Sequence, residues 1–280
     1  MPELATPGAT IFYTRSGSGP AVLLVQGVGA IGNTWKPQIE GLSGRYTVVA
    51  FDNRGIGRSR IADGRLTIDD MAADALALLD ALGLERVHVA GHSMGGVIAQ
   101  ALALRAPTRI KSLAFLCTFA RGQDGAKMTL PMLVTALRMR IGTRAMRRNA
   151  FLGLIMPERY LRQVDRAELA GQLHPLFGHD LAEQPSISMQ QLRAMSKYDA
   201  SSRLAELAQI PTLVLSASED RIAPPANGRA LAAAIPGATY IELSDSGHGV
   251  TIHRADEVNA ILADHFARAE QTAAATARRD

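Results

Sequence analysis

The chain has 280 residues, 47% of them apolar, which is enough for one large core or two smaller ones and excludes a disordered or collagen-like polymer. No window approaches twenty consecutive apolar residues, the opening MPELATPGAT lacks the basic-then-apolar order of a secretory signal, and a lone Cys117 has no partner for an internal disulfide. The sequence therefore reads as soluble and cytoplasmic, and its net charge of +4 alone does not choose between a nucleic acid and an anionic small molecule.

Along the chain, ATIFYT (9–14) and AVLLV (21–25) are β-rich and flank the turn-like RSGSGP, so a strand, a turn and a second strand are expected. A Gly-rich loop at 27–32, a short helix near 35–43 and the strand YTVVAF (46–51) follow. Residues 67–83 predict a helix, because Ile68, Met71, Ala72, Ala75, Leu79 and Leu82 recur at steps of three and four, with Asp69, Asp70, Asp74 and Asp80 off that face. Thr67 can cap its start and Gly83 its end. RVHVAG (86–91) predicts a buried strand, 94–106 a helix stopped by Pro107, and IKSLAFLC (110–117) another strand.

Between 121 and 199 no strand pattern appears, and a helical insertion is expected. Alternation resumes with PTLVLSA (211–217), a helix over 225–235, TYIELS (239–244) and a last helix over 252–268, after which the Ala-rich tail 267–280 is expected to fray. The order predicts an α/β fold: a mostly parallel central sheet with helices on both faces, residues 1–120 and 200–280 forming the core and 121–199 the insertion.

Two motifs compete for the chemistry. GVGAIG at 27–32 follows a strand, and Asp52 ends the next one, 20 residues after Gly32, the spacing of a dinucleotide-binding fingerprint. Against an NAD(P) oxidoreductase stand Pro37, inside the helix that would receive the pyrophosphate, and the position of the motif after an apparent hairpin. The second motif, GHSMGG at 91–96, joins strand to helix directly and matches G-x-S-x-G in the context of a nucleophile elbow. There Ser93 would project its hydroxyl from a strained turn, and a Cβ at position 91 or 95 would clash. The alternative for Ser93 is an ordinary helix cap.

A serine hydroxyl needs a base, and the base an orienting acid. His248 sits in SDSGHGV between the last strand and the last helix. His253 falls inside that helix, His92 should face away from Ser93, His174 and His179 belong to the insertion, and His88 reads as a satisfied core residue. Asp220, after strand 211–217, is the acid; Glu219 would face elsewhere, Asp245 is too close to His248 in sequence to reach behind its ring, and Asp199 and Asp124 lie at the ends of the insertion. The order Ser93, Asp220, His248 is that of the α/β-hydrolase fold. No His/Cys/Asp cluster shows ligand spacing, so no metal and no cofactor is expected.

With LLVQGVG (23–29), FDNRGIGRS (51–59), GHSMGG (91–96), SASEDRIAPP and SGHG in place, the chain resembles the α/β-hydrolase superfamily from about residue 8 to 268. The resemblance implies that 27–32 is the oxyanion loop, that the Val28 and Met94 N–H groups form the oxyanion hole, and that residues 52–55 are a supporting turn with Asp52 structural. It implies a helical cap over 121–199. Relatives usually have His-Gly where this chain has Gln26-Gly27, and a Gln can both donate and accept within the loop. Relatives with a carboxylate nucleophile do not match Ser93.

The nearest look is that of serine esterases and lactonases such as the 3-oxoadipate enol-lactonases, with a small-molecule ester or lactone as partner and a largely apolar substrate expected. Cofactor-free haloperoxidases or perhydrolases and C–C bond hydrolases share the triad, and a ligand-binding receptor on the same fold is a third class. The stretch 121–199 holds seven of the ten methionines (128, 132, 139, 146, 156, 189 and 195) and 12 Lys/Arg against 7 Asp/Glu. Arg140, Arg144, Arg147 and Arg148 are expected on one helical face. The rest of the chain is close to neutral, so nucleic acid loses its support as a partner, and a membrane partner has none in the absence of a spanning segment.

Overall fold

The computed structural model describes residues 2–62, 64, 66–125 and 129–276. Its strands are β1 (Glu3–Thr6), β2 (Ala9–Ser16), β3 (Ala21–Val25), β4 (Thr47–Phe51), β5 (Arg60–Ile61), β6 (Val87–His92), β7 (Ile110–Leu116), β8 (Thr212–Ala217) and β9 (Thr239–Leu243). They form one sheet in the order β1-β2-β4-β3-β6-β7-β8-β9, with β5 added on β2. From β4 through β9 every pairing is parallel, while β1, β2 and β5 pair antiparallel.

The helices are α1 (Lys36–Leu42), α2 (Ile68–Ala81), α3 (Met94–Arg105), α4 (Gly122–Gly125), α5 (Leu130–Arg138), α6 (Arg144–Ile155), α7 (Glu158–Leu161), α8 (Arg166–Phe177), α9 (Ser188–Ser196), α10 (Pro225–Ala234), α11 (Val250–His253) and α12 (Ala255–Thr276). All residues of β3, β4, β6 and β8 are buried, which requires a covered sheet on both faces and explains their mostly apolar sequences. Helix α2 begins where expected, with Thr67 Oγ1 accepting the Asp70 N–H at 3.0 Å, and Gly83 takes φ 64° just past its end.

Several expectations are corrected. β2 and β3 are not a hairpin: β4 lies between them, and β2 instead turns back on β1 through Pro7-Gly8, with Thr6 opposite Ala9. Both β1 and β5 escape the sequence reading because they are short edge strands without an apolar run. Asp74 is buried rather than solvated, held by Arg54 at 2.7 and 2.8 Å and by Thr6 at 2.6 Å. The last helix breaks at Arg254 and then continues to Thr276, well into the stretch expected to fray. Glu270 anchors it, accepting from Lys111 at 2.6 Å and lying 2.9 Å from the buried His88 ring. The final residues of that tail, 277–280, lie outside the described residues.

Residues 121–199, between β7 and β8, are helical, and an isolated bridge pairs Arg121 with Asp199 at their two ends. Arg140 does not share a face with the other arginines. It lies in the turn between α5 and α6, while Arg144 and Arg148 on α6 both reach Asp180. Of the methionines noted there, Met128 lies outside the described residues. The segment has a core of its own, built from Leu152, Ile155, Leu161, Leu169, Leu173 and Phe177, and this core also takes in Ala30 from the Gly-rich loop.

Candidate active site

The loops that follow β3, β6, β8 and β9 meet at one edge of the sheet, the carboxyl edge where open α/β sheets collect functional groups. Ser93 stands between β6 and α3 with φ 56° and ψ −123°, a strained conformation for a residue with a side chain. Its hydroxyl makes no capping bond to α3, so it is not an ordinary helix cap. The glycines beside it are dictated by contact. A Cβ on Gly95 would lie 2.0 Å from the Val25 carbonyl oxygen, one on Gly91 2.4 Å from the Gly95 oxygen, and one on Gly96 2.6 Å from Thr118. The Ser93 backbone is fixed from outside, its N–H donating to Leu116 O at 3.0 Å and its carbonyl accepting from Thr118 Oγ1 at 2.7 Å.

Asp220 and His248 pair with each other, and the His248 ring lies 4.7 Å from that of His92, the residue before Ser93. The Asp220 Oδ2 lies 2.7 Å from His248 Nδ1, and its Oδ1 accepts the N–H groups of Ile222 and Ala223, each at 2.8 Å. Burial pulls the Asp220 carboxyl upward, but the His248 ring and the two amides outweigh it and hold the group below its ordinary value. Asp220 is therefore a carboxylate, able to accept from Nδ1–H and leave Nε2 as the basic nitrogen. Of the competing acids, Asp245 is exposed and pairs with Arg159, Asp124 pairs with Arg121, Asp199 accepts from Ser201, and Glu219 is exposed.

The Gly-rich loop lies against Ser93. A Cβ on Gly27 would fall 2.9 Å from the Ser93 Cβ and 3.4 Å from its Oγ. Among the described residues no group accepts from the N–H of Val28 or of Met94, whereas the neighbours Gly27 and Gly29 donate to Gln26 Oε1 and Gln191 Oε1 at 2.8 and 2.9 Å. Both oxygens of Asp52 are engaged by the backbone, accepting from Gly32 N–H at 2.7 Å and Arg58 N–H at 2.9 Å. This removes the ribose contact that a dinucleotide reading requires. Pro37, which counted against that reading, sits in the first turn of α1, where proline is tolerated. Asn53 braces the loop by donating to Gln26 O at 2.8 Å.

His92 makes contacts that the sequence does not reveal. Its ring lies on the His248 side, with centroids 4.7 Å apart, Nε2 2.8 Å from the His248 carbonyl oxygen and Nδ1 3.1 Å from Gln26 Oε1. Burial and the neighbouring His248 push its pKa down to about 3, so it is neutral. Its single N–H is best given to the nearer acceptor, the His248 carbonyl. His92 thus holds the loop that carries His248, while its unprotonated Nδ1 only packs beside Gln26 Oε1 of the Gly-rich loop. His88 fulfils its core role between Ser112 and Glu270, His253 stacks on Tyr160 and His174 is exposed.

No metal-ligand cluster is visible in the sequence spacing, yet the fold brings ligand atoms of His92, Cys117 and His248 within 4.8 Å of one another. Both His92 nitrogens and the His248 Nδ1 already face oxygen partners, which leaves too few free donors for a metal. Burial, reinforced by Asp220, raises the Cys117 thiol, so it stays protonated and is not a nucleophile.

Three contacts from the helical segment are invisible in the sequence. Gln191 on α9 is fully buried and accepts the Gly29 N–H, His179 Nε2 lies 3.4 Å from Gly29 O, and Ile155 O accepts the Gly249 N–H at 2.7 Å beside His248. The segment therefore grips both loops that flank Ser93.

Comparison with known proteins agrees with this fold. Residues 20–254 match the sequence family described as alpha/beta hydrolase fold. The chain is 32% identical over 262 residues to the "Putative carbamate hydrolase RutD" of Azorhizobium caulinodans, covering 94% of this chain and 97% of that one. It is 30% identical over 261 residues to the "Putative non-heme bromoperoxidase BpoC" of Mycobacterium tuberculosis, covering 91% and 97%. Among solved structures it is similar to the enol-lactonase of Burkholderia xenovorans LB400, with a TM-score of 0.79, 29% identity and coverage of 95% and 100%.

Proposed function

The chain belongs to the alpha/beta hydrolase fold family, and from that premise we propose that it is a serine hydrolase cleaving a small carboxylic ester or lactone through an acyl-enzyme, with Ser93, Asp220 and His248 as its triad. The reading is carried by the buried Asp220–His248 pair, packed against His92, together with the adjoining Ser93 held at φ 56° with its hydroxyl unspent on capping. His248 takes the Ser93 proton as Oγ adds to the carbonyl carbon, and the Val28 and Met94 N–H groups hold the oxyanion. Asp220 orients the ring and stabilises the imidazolium. The tetrahedral intermediate collapses, His248 gives its proton to the departing alkoxide, and the ester carbonyl remains on Ser93. Water, deprotonated by His248, then adds to the acyl-enzyme and releases the acid. With a lactone the alcohol and acid leave as one hydroxy acid.

In this reading residues 121–199 are a cap, since they contact both the oxyanion loop and the His248 loop. A carbamate is the second reading, favoured by similarity to the relatives named for that activity. In it the same attack releases an amine-bearing fragment. The discriminating experiment is turnover of a panel of acyl esters, lactones, carbamates and peroxide with bromide, by wild type and Ser93→Ala. Ester or lactone hydrolysis lost in Ser93→Ala supports the proposal. Carbamate turnover alone selects the second reading, and turnover that survives Ser93→Ala rejects the triad.

A further inference from the structure

Helix α5 buries none of its residues. Leu130 is 75% exposed, Leu137 57% and Ile141, in the turn that follows, 62%; Leu133, Val134 and Met146 are exposed as well. Leu130, Leu133, Val134 and Leu137 fall at helical steps and make one apolar stripe. Single exposed apolar side chains are ordinary, but a continuous group of this size on a chain of this length marks an interaction surface. The same stretch is strongly basic: residues 129–157 contain five arginines and no acidic side chain. Arg144 and Arg148 turn toward Asp180, whereas the exposed Arg138 and Arg140 form no ion pair among the described residues.

The charge decides between occupants. A second copy docking by the same stripe would offer the exposed Arg138 and Arg140 no acidic partner, because residues 129–157 carry none. A nucleic acid would leave the leucines without partners, and the stretch 129–150 has no aromatic side chain on which a base could stack. An anionic lipid surface satisfies both halves of the pattern, with apolar side chains at the acyl boundary and guanidinium groups on headgroup phosphates. We infer that α5 and the turn after it dock this protein on an anionic membrane surface. No helix among the described residues is long and apolar enough to cross a membrane, and surface docking requires none. The absence of a spanning segment, on which the sequence reading set membranes aside, does not bear on it.

The test is co-sedimentation of the full chain with vesicles of phosphatidylcholine alone or mixed with phosphatidylglycerol. Binding to the mixed vesicles should exceed binding to neutral ones by about tenfold or more and fall steeply as salt is raised. The double variants Leu133→Ser/Leu137→Ser and Arg138→Gln/Arg140→Gln should each lose most of that binding, while hydrolysis of a soluble ester by both stays at the wild-type rate. Absent binding, equal binding to both vesicles, or wild-type binding by either double variant overturns the inference. So does a concentration-dependent dimer in sedimentation velocity that the leucine variant abolishes, because the stripe then belongs to a second copy.

Discussion

The sheet body and the helical segment at 121–199 are made differently. The body buries uninterrupted apolar strands under helices, and at its carboxyl edge the backbone is so crowded that glycine is imposed at 27, 91, 95 and 96. The segment has a smaller core, an unburied helix and an excess of positive charge. Each region holds part of the proposed site: the body supplies Ser93, Asp220 and His248, and the segment supplies Gln191 and Ile155, which bond the Gly29 and Gly249 N–H groups. On the proposed function, chemistry and stability reside in the body, whereas the segment tunes access and geometry.

That division can be broken most forcefully in the body. Asp220→Asn keeps the shape of the acid but cannot hold His248 in the useful tautomer, and kcat should fall by about 10⁴ with KM little changed. A loss under tenfold would remove Asp220 from the triad. Gly95→Ala comes next, because its Cβ meets the Val25 carbonyl with nowhere to go. Denaturant unfolding should show a loss of about 3 kcal/mol or more.

Changes in the segment should be milder and should separate activity from stability. Gln191→Met keeps the volume but deprives Gly29 N–H of its acceptor, so the oxyanion loop loosens. A fall of about tenfold in kcat with a near-constant Tm is expected. If Tm falls and kcat holds, Gln191 is only packing.

The smallest effect concerns pH. Burial, the leading cause, lowers the His88 pKa to about 4, so the folded state keeps the ring neutral while the unfolded chain protonates it near 6.5. The unfolded state therefore binds more protons between those values, and the stability present above about pH 6.5 is lost as pH falls toward 4. Between pH 7.5 and 5 this group should contribute a loss of about 1–2 kcal/mol, which His88→Asn should abolish in denaturant titrations at the two pH values.

The same contrast explains what could be read from the sequence. The elbow was legible because backbone crowding restricts residue type, so glycines at 91, 95 and 96 around Ser93 leave a pattern. The contact of Asp220 with His248 was legible because each follows an apolar strand in a fixed chain order. The pairing of β2 was not, because β4 inserts between β2 and β3 and nothing in local composition encodes that crossover. The contact of His92 with the His248 carbonyl was not legible either, because the two lie 156 positions apart. Gln191 left no trace at all: a glutamine on an amphipathic helix looks solvated until the fold brings it, 162 positions away, onto Gly29. Asp74 and Glu270 were missed likewise, each a charge whose partner is remote in sequence.

The central claim is that Ser93 is a nucleophile activated by the buried His248–Asp220 pair, and covalent labelling tests it most directly. The protein treated with a fluorophosphonate should gain one adduct in intact-mass analysis, located on Ser93 by peptide mapping and absent from Ser93→Ala and greatly slowed in His248→Ala. No adduct, or one on another residue, would contradict the account.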